Sequence, residues 1–275
     1  MRGLPNPAAG SANHVTRKRF YAAIAASLVA PLVSGRRVAA QPSAADVKAF
    51  FPVAMRTPLS VLVQQFEQSS GRKVSITYGT IGALATRLQN GEVTDVAILS
   101  PLQIDDLEKL GKIVAGSRVN LVKVGNGAFV RKGAPKPDIS TVDALKRSLL
   151  AAKTIVYVDP KTGGPSGIYM AALMERLGIA AAMTPKTVLT PPGEPSFTTV
   201  VKGEADLGFQ QISAILEEPT VDYAAPLPAE VQDYTRYTVV AIAAGSQPEG
   251  ARALIALLSS PAALSVMKAK GFEAY

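Results

Sequence analysis

Residues 119–130 read Val-Asn-Leu-Val-Lys-Val-Gly-Asn-Gly-Ala-Phe-Val, an apolar and β-branched run interrupted by Gly125 and Gly127. The run predicts one extended segment, because β-branched and apolar residues favour strands. Glycine within a strand tolerates a bend. The segment is therefore suited to cross from one lobe of the molecule to another.

From Val47 onward, short apolar runs alternate with amphipathic stretches, and this order predicts an α/β architecture with parallel sheets. Thr57 and Pro58 are read as the cap and first-turn proline of the first helix. Predicted strands are 47–53, 73–78, 95–99, 154–158, 186–189, 206–211 and 237–243. Predicted helices include 57–68, 142–151, 166–177, 196–202, 248–258 and 261–270, with further helices opening after Gly79-Thr80 and at Ser100-Pro101.

The net charge of +8 is concentrated at the start of the chain. Six of the 29 basic residues and none of the 21 acidic residues lie within 1–40, so the remainder carries +2. A basic stretch, an apolar run (20–33) and Val38-Ala39-Ala40 predict a signal peptide over 1–40, cleaved after Ala40. We expect a periplasmic protein exported by the Sec or the Tat route, and the near-neutral remainder argues against nucleic-acid binding.

Histidine and cysteine are absent from the expected mature chain, since His14 is the only histidine and there is no cysteine. Disulfides, thiolate or imidazole metal sites and histidine-dependent catalysis are thereby excluded after cleavage. We expect no metal, no cofactor and no catalytic residue. The competing enzyme hypothesis is an exported hydrolase that uses carboxylates, serine or lysine, with Asp159, Lys161 and Glu194 as its candidates.

Three strand-to-helix junctions stand out, at 52–57, 79–82 and 163–167, and the last two contain glycines. Free backbone N–H groups at a helix start favour an anion. Arg56 is either an anion-neutralising residue or a solvent-facing one, and Ser166 is either a helix cap or a ligand donor. Three such junctions in one chain predict a binding cleft.

Several segments resemble the periplasmic molybdate-binding proteins of ABC importers. They are the stretches 51–59, 82–89, 95–100, 159–160, 165–169, 203–208, 260–263 and 271–272, in the family's order. The resemblance implies a two-lobed type II periplasmic binding protein, each lobe a mostly parallel sheet flanked by helices, that closes on its ligand. It places lobe 1 at 41–122 plus 214–275 and lobe 2 at 123–213, with crossings near 123–126 and 211–214.

The resemblance also implies a ligand site, but with different residue types. The family's two serines fall near Ala54 and at Ile81, its alanine backbone donor at Ser166 and its cleft tyrosine at Gln211. The predicted ligand-binding residues are Ala54, Met55, Arg56, Thr80, Ile81, Ser166, Gly193, Glu194 and Gln211. Because side-chain hydroxyls that would bind a buried dianion are missing, two ligand classes stay open: a molybdate- or tungstate-like oxyanion and a small organic anion.

The sequence thus predicts a monomeric solute-binding protein that captures a small anion and delivers it to an ABC permease in the inner membrane. The alternatives are a ligand sensor that docks on a membrane receptor and the carboxylate-based hydrolase.

Overall fold

The computed structural model describes residues 46–162, 164–190, 194 and 196–275. The predicted signal peptide and Gly193 lie outside these ranges. The strands are β1 (Val47–Pro52), β2 (Val74–Gly79), β3 (Val96–Leu99), β4 (Val119–Arg131), β5 (Ile155–Val158), β6 (Thr187–Thr190), β7 (Leu207–Gln211), β8 (Val221–Pro226), β9 (Tyr234–Ala241) and β10 (Glu273–Ala274). The α-helices are α1 (Arg56–Ser70), α2 (Ile81–Gln89), α3 (Pro101–Lys109), α4 (Val142–Ala151), α5 (Pro165–Arg176), α6 (Ala180–Met183), α7 (Ser196–Val201), α8 (Ile212–Glu217), α9 (Pro248–Leu258) and α10 (Pro261–Lys268).

Strand β4 belongs to both halves of the sheet, whose order is β2-β1-β3-β9-β4-β7-β5-β6. Its first half pairs with β9 and β10, and its second half pairs with β7 and β8, all antiparallel. Strand β1 runs parallel to β2 and β3, and β5 runs parallel to β6 and β7. Each lobe therefore has a mixed sheet rather than a mostly parallel one, because β4 and its partners run against the parallel strands.

Each half of the sheet is covered by helices on both faces, and side chains alternate between the two sides with the period of a strand. In β3, Ile98 faces the core that contains α1 and α9, whereas Leu99 faces the core that contains α2 and α3. In the second half of the sheet, the β5 neighbours Tyr157 and Val156 likewise face two different hydrophobic cores. Burial on both faces explains why these strands read as continuous apolar runs.

The structure corrects two local predictions. Helix α1 begins at Arg56 with no side-chain cap, because the 3-10 turn Val53–Met55 leads directly into it; Thr57 Oγ1 instead donates to Glu217 Oε2 at 2.8 Å. After β7, the chain forms α8 and then β8, which pairs with residues 127–131 of β4. Residues 221–226 thus hydrogen-bond within the second sheet, and the lobe boundaries stay a prediction.

Among the described residues, no single helix is long and apolar enough to span a membrane. Helices α9 and α10 reach the length and apolar composition of a membrane span only when they are taken together, and the pair is bent by 58°. Leu254, Leu258 and Met267 from these two helices pack in the core of the first lobe.

Gly167 provides a test of how α5 is seated on the second sheet. A Cβ at Gly167 would overlap the carbonyl oxygen of Val158 at the end of β5, so we expect Gly167→Ala to lower the free energy of unfolding by about 1–3 kcal/mol. Gly82→Ala is the matched control, because nothing lies within 4 Å of its added Cβ and alanine favours the helix by about 0.5–1 kcal/mol. Urea unfolding followed by circular dichroism measures both; equal destabilisation by the two variants would contradict the packing argument.

Candidate functional site

A cavity of about 720 Å³ lies where three helices begin. Its walls are the first turns of α2 and α3, one face of α5, the start of β9, and Tyr275. Helices α2 and α3 pack on the first half of the sheet, whereas α5 packs on the second half. We call this space the α2–α3–α5 cavity, and its walls come from both lobes.

The start of α2 presents backbone donors to this cavity. Thr80 caps the helix by accepting the N–H of Ala83 at 3.2 Å. The N–H groups of Ile81 and Gly82, both in the cavity wall, have no acceptor among the described residues. Unpaired N–H groups together with the helix dipole make such a helix start favourable for an anion.

The start of α3 repeats this arrangement. Pro101 has no N–H and Ser100 makes no side-chain cap, so Leu102 and Gln103 keep N–H groups without an acceptor in the described part of the chain. The Oε1 atom of Gln103 is also buried without a hydrogen-bond partner in this part. An amide oxygen accepts hydrogen bonds, so a ligand hydroxyl or N–H could be its partner, whereas an anionic oxygen could not.

The start of β9 supplies the cavity with formal charge. Arg236 is exposed and makes no ion pair with any described residue; its one hydrogen bond, to Tyr234 O, is 3.5 Å long. Asp233 lies in the same wall and is exposed. The cavity wall therefore carries one guanidinium without an ion pair among the described residues, together with one Asp side chain.

Apolar side chains lie between these polar groups. Leu102 is 66% exposed and Ile168 is 50% exposed, although both are large and apolar. Ile81 and Ala172 continue the same wall. An exposed apolar surface inside a cavity is suited to the carbon skeleton of a ligand.

Tyr169 is the phenol best fixed in the cavity wall. Its hydroxyl donates to Val231 O and accepts from Arg176 Nη2 at 2.9 Å. Burial raises the pKa of Tyr169 above its ordinary value, and the negative charge of Asp233 adds to the increase, against the opposing effect of Arg176. The phenol therefore keeps its proton at neutral pH.

The structure brings together the five predicted site residues of the first lobe at the ends of β1 and β2, since Pro52 is in register with Gly79. Only Ile81 lines the cavity. Thr80 is the cap of α2, and Ala54 is half-buried. Met55 is fully buried in the core, and Arg56 lies with its guanidinium carbon 4.3 Å from the centroid of the Tyr78 ring.

In the second lobe, Ser166 and Gln211 meet through the side chain of Gln210. Gln210 Oε1 accepts from Ser166 Oγ at 2.6 Å and from Gln211 N at 2.9 Å. Gln211 Nε2 donates to Thr235 Oγ1, in the cavity wall, at 2.8 Å. Both predicted residues are buried, and the only hydroxyl proton of Ser166 is already used in the bond to Gln210.

Gly193 and Glu194 are the remaining two predicted ligand residues. Gly193 lies outside the described residues, and Glu194 is exposed. Among the described residues, no group of three or more Asp, Glu or His side chains is placed to hold a metal ion. The roles of all nine predicted ligand residues stay predictions.

Two parts of this wall were left out of the predicted site: the start of α3, although a helix opening at Ser100-Pro101 was predicted, and residues 233–236. The first could have been found, because Ser100-Pro101 follows a buried strand in the same way as the other junctions do. Residues 233–236 carry no local sequence signal, because the start of β9 reaches this wall only through the pairing of β9 with β3 and β4.

Comparison with known proteins decides the family. The family model described as bacterial extracellular solute-binding protein matches residues 47–273. This chain belongs to that family. The match covers both lobes and confirms the resemblance on which the predicted fold depends.

Relatives and solved structures agree with this assignment. A protein named aconitate isomerase from Pseudomonas sp is 32% identical over 214 residues, 76% of this solute-binding protein and 80% of the relative. Molybdate-binding protein ModA from Azotobacter vinelandii is 28% identical over 233 residues, 83% and 90% of the two chains. The substrate binding domain of a putative molybdenum ABC transporter from Clostridium difficile has a TM-score of 0.71, at 17% identity, over 84% of this chain and 100% of its own. The two-lobed type II fold is thereby confirmed.

The family is described as one of solute-binding proteins, which supports a role for this chain in binding a solute. One relative carries the name of an enzyme, so the expectation of a protein without catalysis stays a prediction.

Ser166 allows a structural role to be measured in this solute-binding protein. Ser166→Ala removes the bond to Gln210, and we expect a loss of about 1 kcal/mol in the free energy of unfolding. Ser265→Ala is the control, because Ser265 is exposed and bonds only to Pro261 O within its own helix. Urea titration measures both, and a Ser166→Ala protein as stable as the control would contradict a structural role.

Proposed function

We propose that this chain is the periplasmic solute-binding protein of an ABC importer, that it acts as a monomer, and that it captures a small organic anion in the α2–α3–α5 cavity. Its export signal is residues 1–40, and closure of the lobes precedes delivery to the permease. The observation that carries the proposal is the convergence of unpaired N–H groups from α2 and α3 and the unpaired guanidinium of Arg236 on one cavity.

The cavity is large enough for a small organic anion. Small-molecule sites have volumes of about 300–1,000 Å³, and 720 Å³ falls well inside that range. The exposed side chains of Leu102 and Ile168 also fit carbon better than they fit an ion whose surface is entirely oxygen.

The residue types support the same choice. Ala54 and Ile81 stand where the molybdate-binding family has serines, and Gln211, where it has a tyrosine, is already bonded to Thr235. ModA proteins bind molybdate by their name, but this chain lacks the side-chain hydroxyls at those positions. The relative named for aconitate, an unsaturated tricarboxylate, points to a carboxylate instead.

A thermal-shift panel tests the proposal on the mature protein, residues 41–275. The ligands are molybdate, tungstate, sulfate, acetate, succinate and aconitate, with glucose as the neutral control. A carboxylate at 100 times its Kd should stabilise the protein by about 2.7 kcal/mol, a rise in Tm of roughly 5–10 °C. Stabilisation by molybdate and tungstate alone would overturn the organic-anion assignment, and no stabilisation by any anion would overturn the proposal.

A second candidate function, isomerisation of an unsaturated carboxylate, is favoured by the 32% identity to the protein named aconitate isomerase. In such a reaction a base removes a proton from a methylene carbon, the double bond moves by one position, and a proton is returned to the former alkene carbon. No oxidant or reductant is needed. Of the described residues in the cavity wall, Asp233 is the only Asp or Glu, and we assign its side chain as the base.

Activity and binding can be separated with Asp233→Asn. If the chain is an isomerase, the wild type interconverts cis- and trans-aconitate, and Asp233→Asn lowers kcat by about 10²–10⁴ while it still binds aconitate. Asp138→Asn is the control, since Asp138 is exposed, lies outside the cavity wall, and its carboxylate accepts hydrogen bonds only from Ser140 N and Oγ among the described residues. Proton NMR follows both isomers; binding without turnover by the wild type would leave a binding protein only.

A further inference from the structure

We infer that Gln232 is a positioning residue of the α2–α3–α5 cavity. Its side-chain amide pairs with the backbone of Asn126, where one edge of β4 has no strand beside it, and so fixes the wall segment 233–236. The inference rests on the proposed function, because it concerns how the wall that would contact the solute is held in place.

Strand β4 changes partners at Asn126. Strand β8 ends in register with Gly127, and β9 begins in register with Gly125. The chain between these two strands, residues 227–233, contains a 3-10 turn and no strand. The pairing with β8 and β9 therefore skips Asn126, which is buried and whose backbone N–H and C=O need other partners.

The amide of Gln232 supplies these partners. Its Oε1 accepts from Asn126 N at 2.8 Å, and its Nε2 donates to Asn126 O at 2.9 Å. A flipped amide would set N–H against N–H and oxygen against oxygen, so the two bonds fix its orientation. The side chain thus takes the place of a strand residue beside β4.

Gly125 leaves the space in which this amide lies. A Cβ at Gly125 would be 2.9 Å from both Cδ and Nε2 of Gln232. The atoms that it would meet are the far end of a flexible side chain, so an alanine here would displace the amide rather than the backbone. Gly125 and Gln232 therefore form one unit that can be disturbed from either side.

The same unit continues into the cavity wall. Asp233 N donates to Gln232 Oε1 at 3.2 Å, and Asn126 Nδ2 donates to Asp233 O at 3.2 Å. Asp233 is the first residue of the segment 233–236, and all four residues of this segment line the cavity. The start of the wall segment is therefore attached through both its N–H and its C=O.

The residues before Gln232 are anchored in the second lobe. Leu227 and Val231 are buried in the core that contains α4 and α5, and Tyr169 of α5 donates a hydrogen bond to Val231 O. The residues after Gln232 enter β9, which belongs to the first sheet. Gln232 thus fixes the wall segment at the point where the chain passes from one lobe to the other.

Hydrogen–deuterium exchange tests whether Gln232 holds the wall. Gln232→Met keeps the length of the side chain and removes the amide, whereas Gly125→Ala keeps the amide and displaces it. Gln64→Met is the control, because Gln64 is exposed on α1 and lies outside the cavity wall. Circular dichroism and urea unfolding confirm that each variant is folded under the conditions used.

We expect both variants to speed exchange in residues 233–236 by about 10-fold or more and to leave exchange in α9 unchanged. Isothermal titration calorimetry with aconitate, succinate and molybdate measures binding by the same proteins. Affinity for any ligand that the wild type binds should fall by about 3- to 10-fold, since only molecules with an ordered wall can bind. Gln64→Met should match the wild type in both measurements.

Other results would overturn the inference in distinguishable ways. If exchange in 233–236 rises in neither variant or in only one of them, the amide of Gln232 does not hold the wall. If exchange rises in both but affinity stays at the wild-type value, the positioning role is wrong while the proposed function stands. If the wild type binds none of the three anions, the proposed function fails, and exchange alone decides whether Gln232 fixes the segment.

Discussion

The thirteen residues of β4 hold the fold together, because this single strand hydrogen-bonds to four others, two in each half of the sheet. Its two glycines are required where neighbours come close. A Cβ at Gly125 would lie 2.9 Å from the amide of Gln232, and one at Gly127 would lie 2.8 Å from the Tyr223 ring. Both lobes are therefore attached to one strand whose neighbours leave no room for side chains at its centre.

The site follows from the strand order around β4. Parallel strands end at the same edge of a sheet, so the helices that follow them begin side by side and point unpaired N–H groups into a common space. In the first lobe, β2 and β3 lead into α2 and α3, and in the second lobe β5 leads toward α5. Because β9 pairs with both β3 and β4, its first residues reach the same space and add the charge of Arg236.

Local patterns predicted much of the fold but only half of the cavity wall. Helices α4 and α9 were predicted with the bounds that the structure has, because each has a clear apolar face and a defined start. Strand β8 was missed, since its half-buried sequence Val-Asp-Tyr-Ala-Ala-Pro has no regular alternation. The α2 and α5 starts were predicted from glycines and prolines, whereas residues 233–236 depend on long-range pairing, which one sequence does not contain.

Binding and catalysis would use the same few groups of this cavity. The described chain has no histidine, and Tyr169 keeps its proton in a bond to Val231 O, so the phenol is a poor shuttle. Asp233 is the one Asp or Glu side chain in the described cavity wall, and it would take up the proton. One base suffices for a shift of a double bond by one position, because the carboxylate that takes the proton from one carbon can return it to another on the same face of the ligand. Arg236 and the start of α3 would hold the ligand still in either case, so the presence of catalysis would be decided by the distance from Asp233 to the methylene carbon of the bound solute.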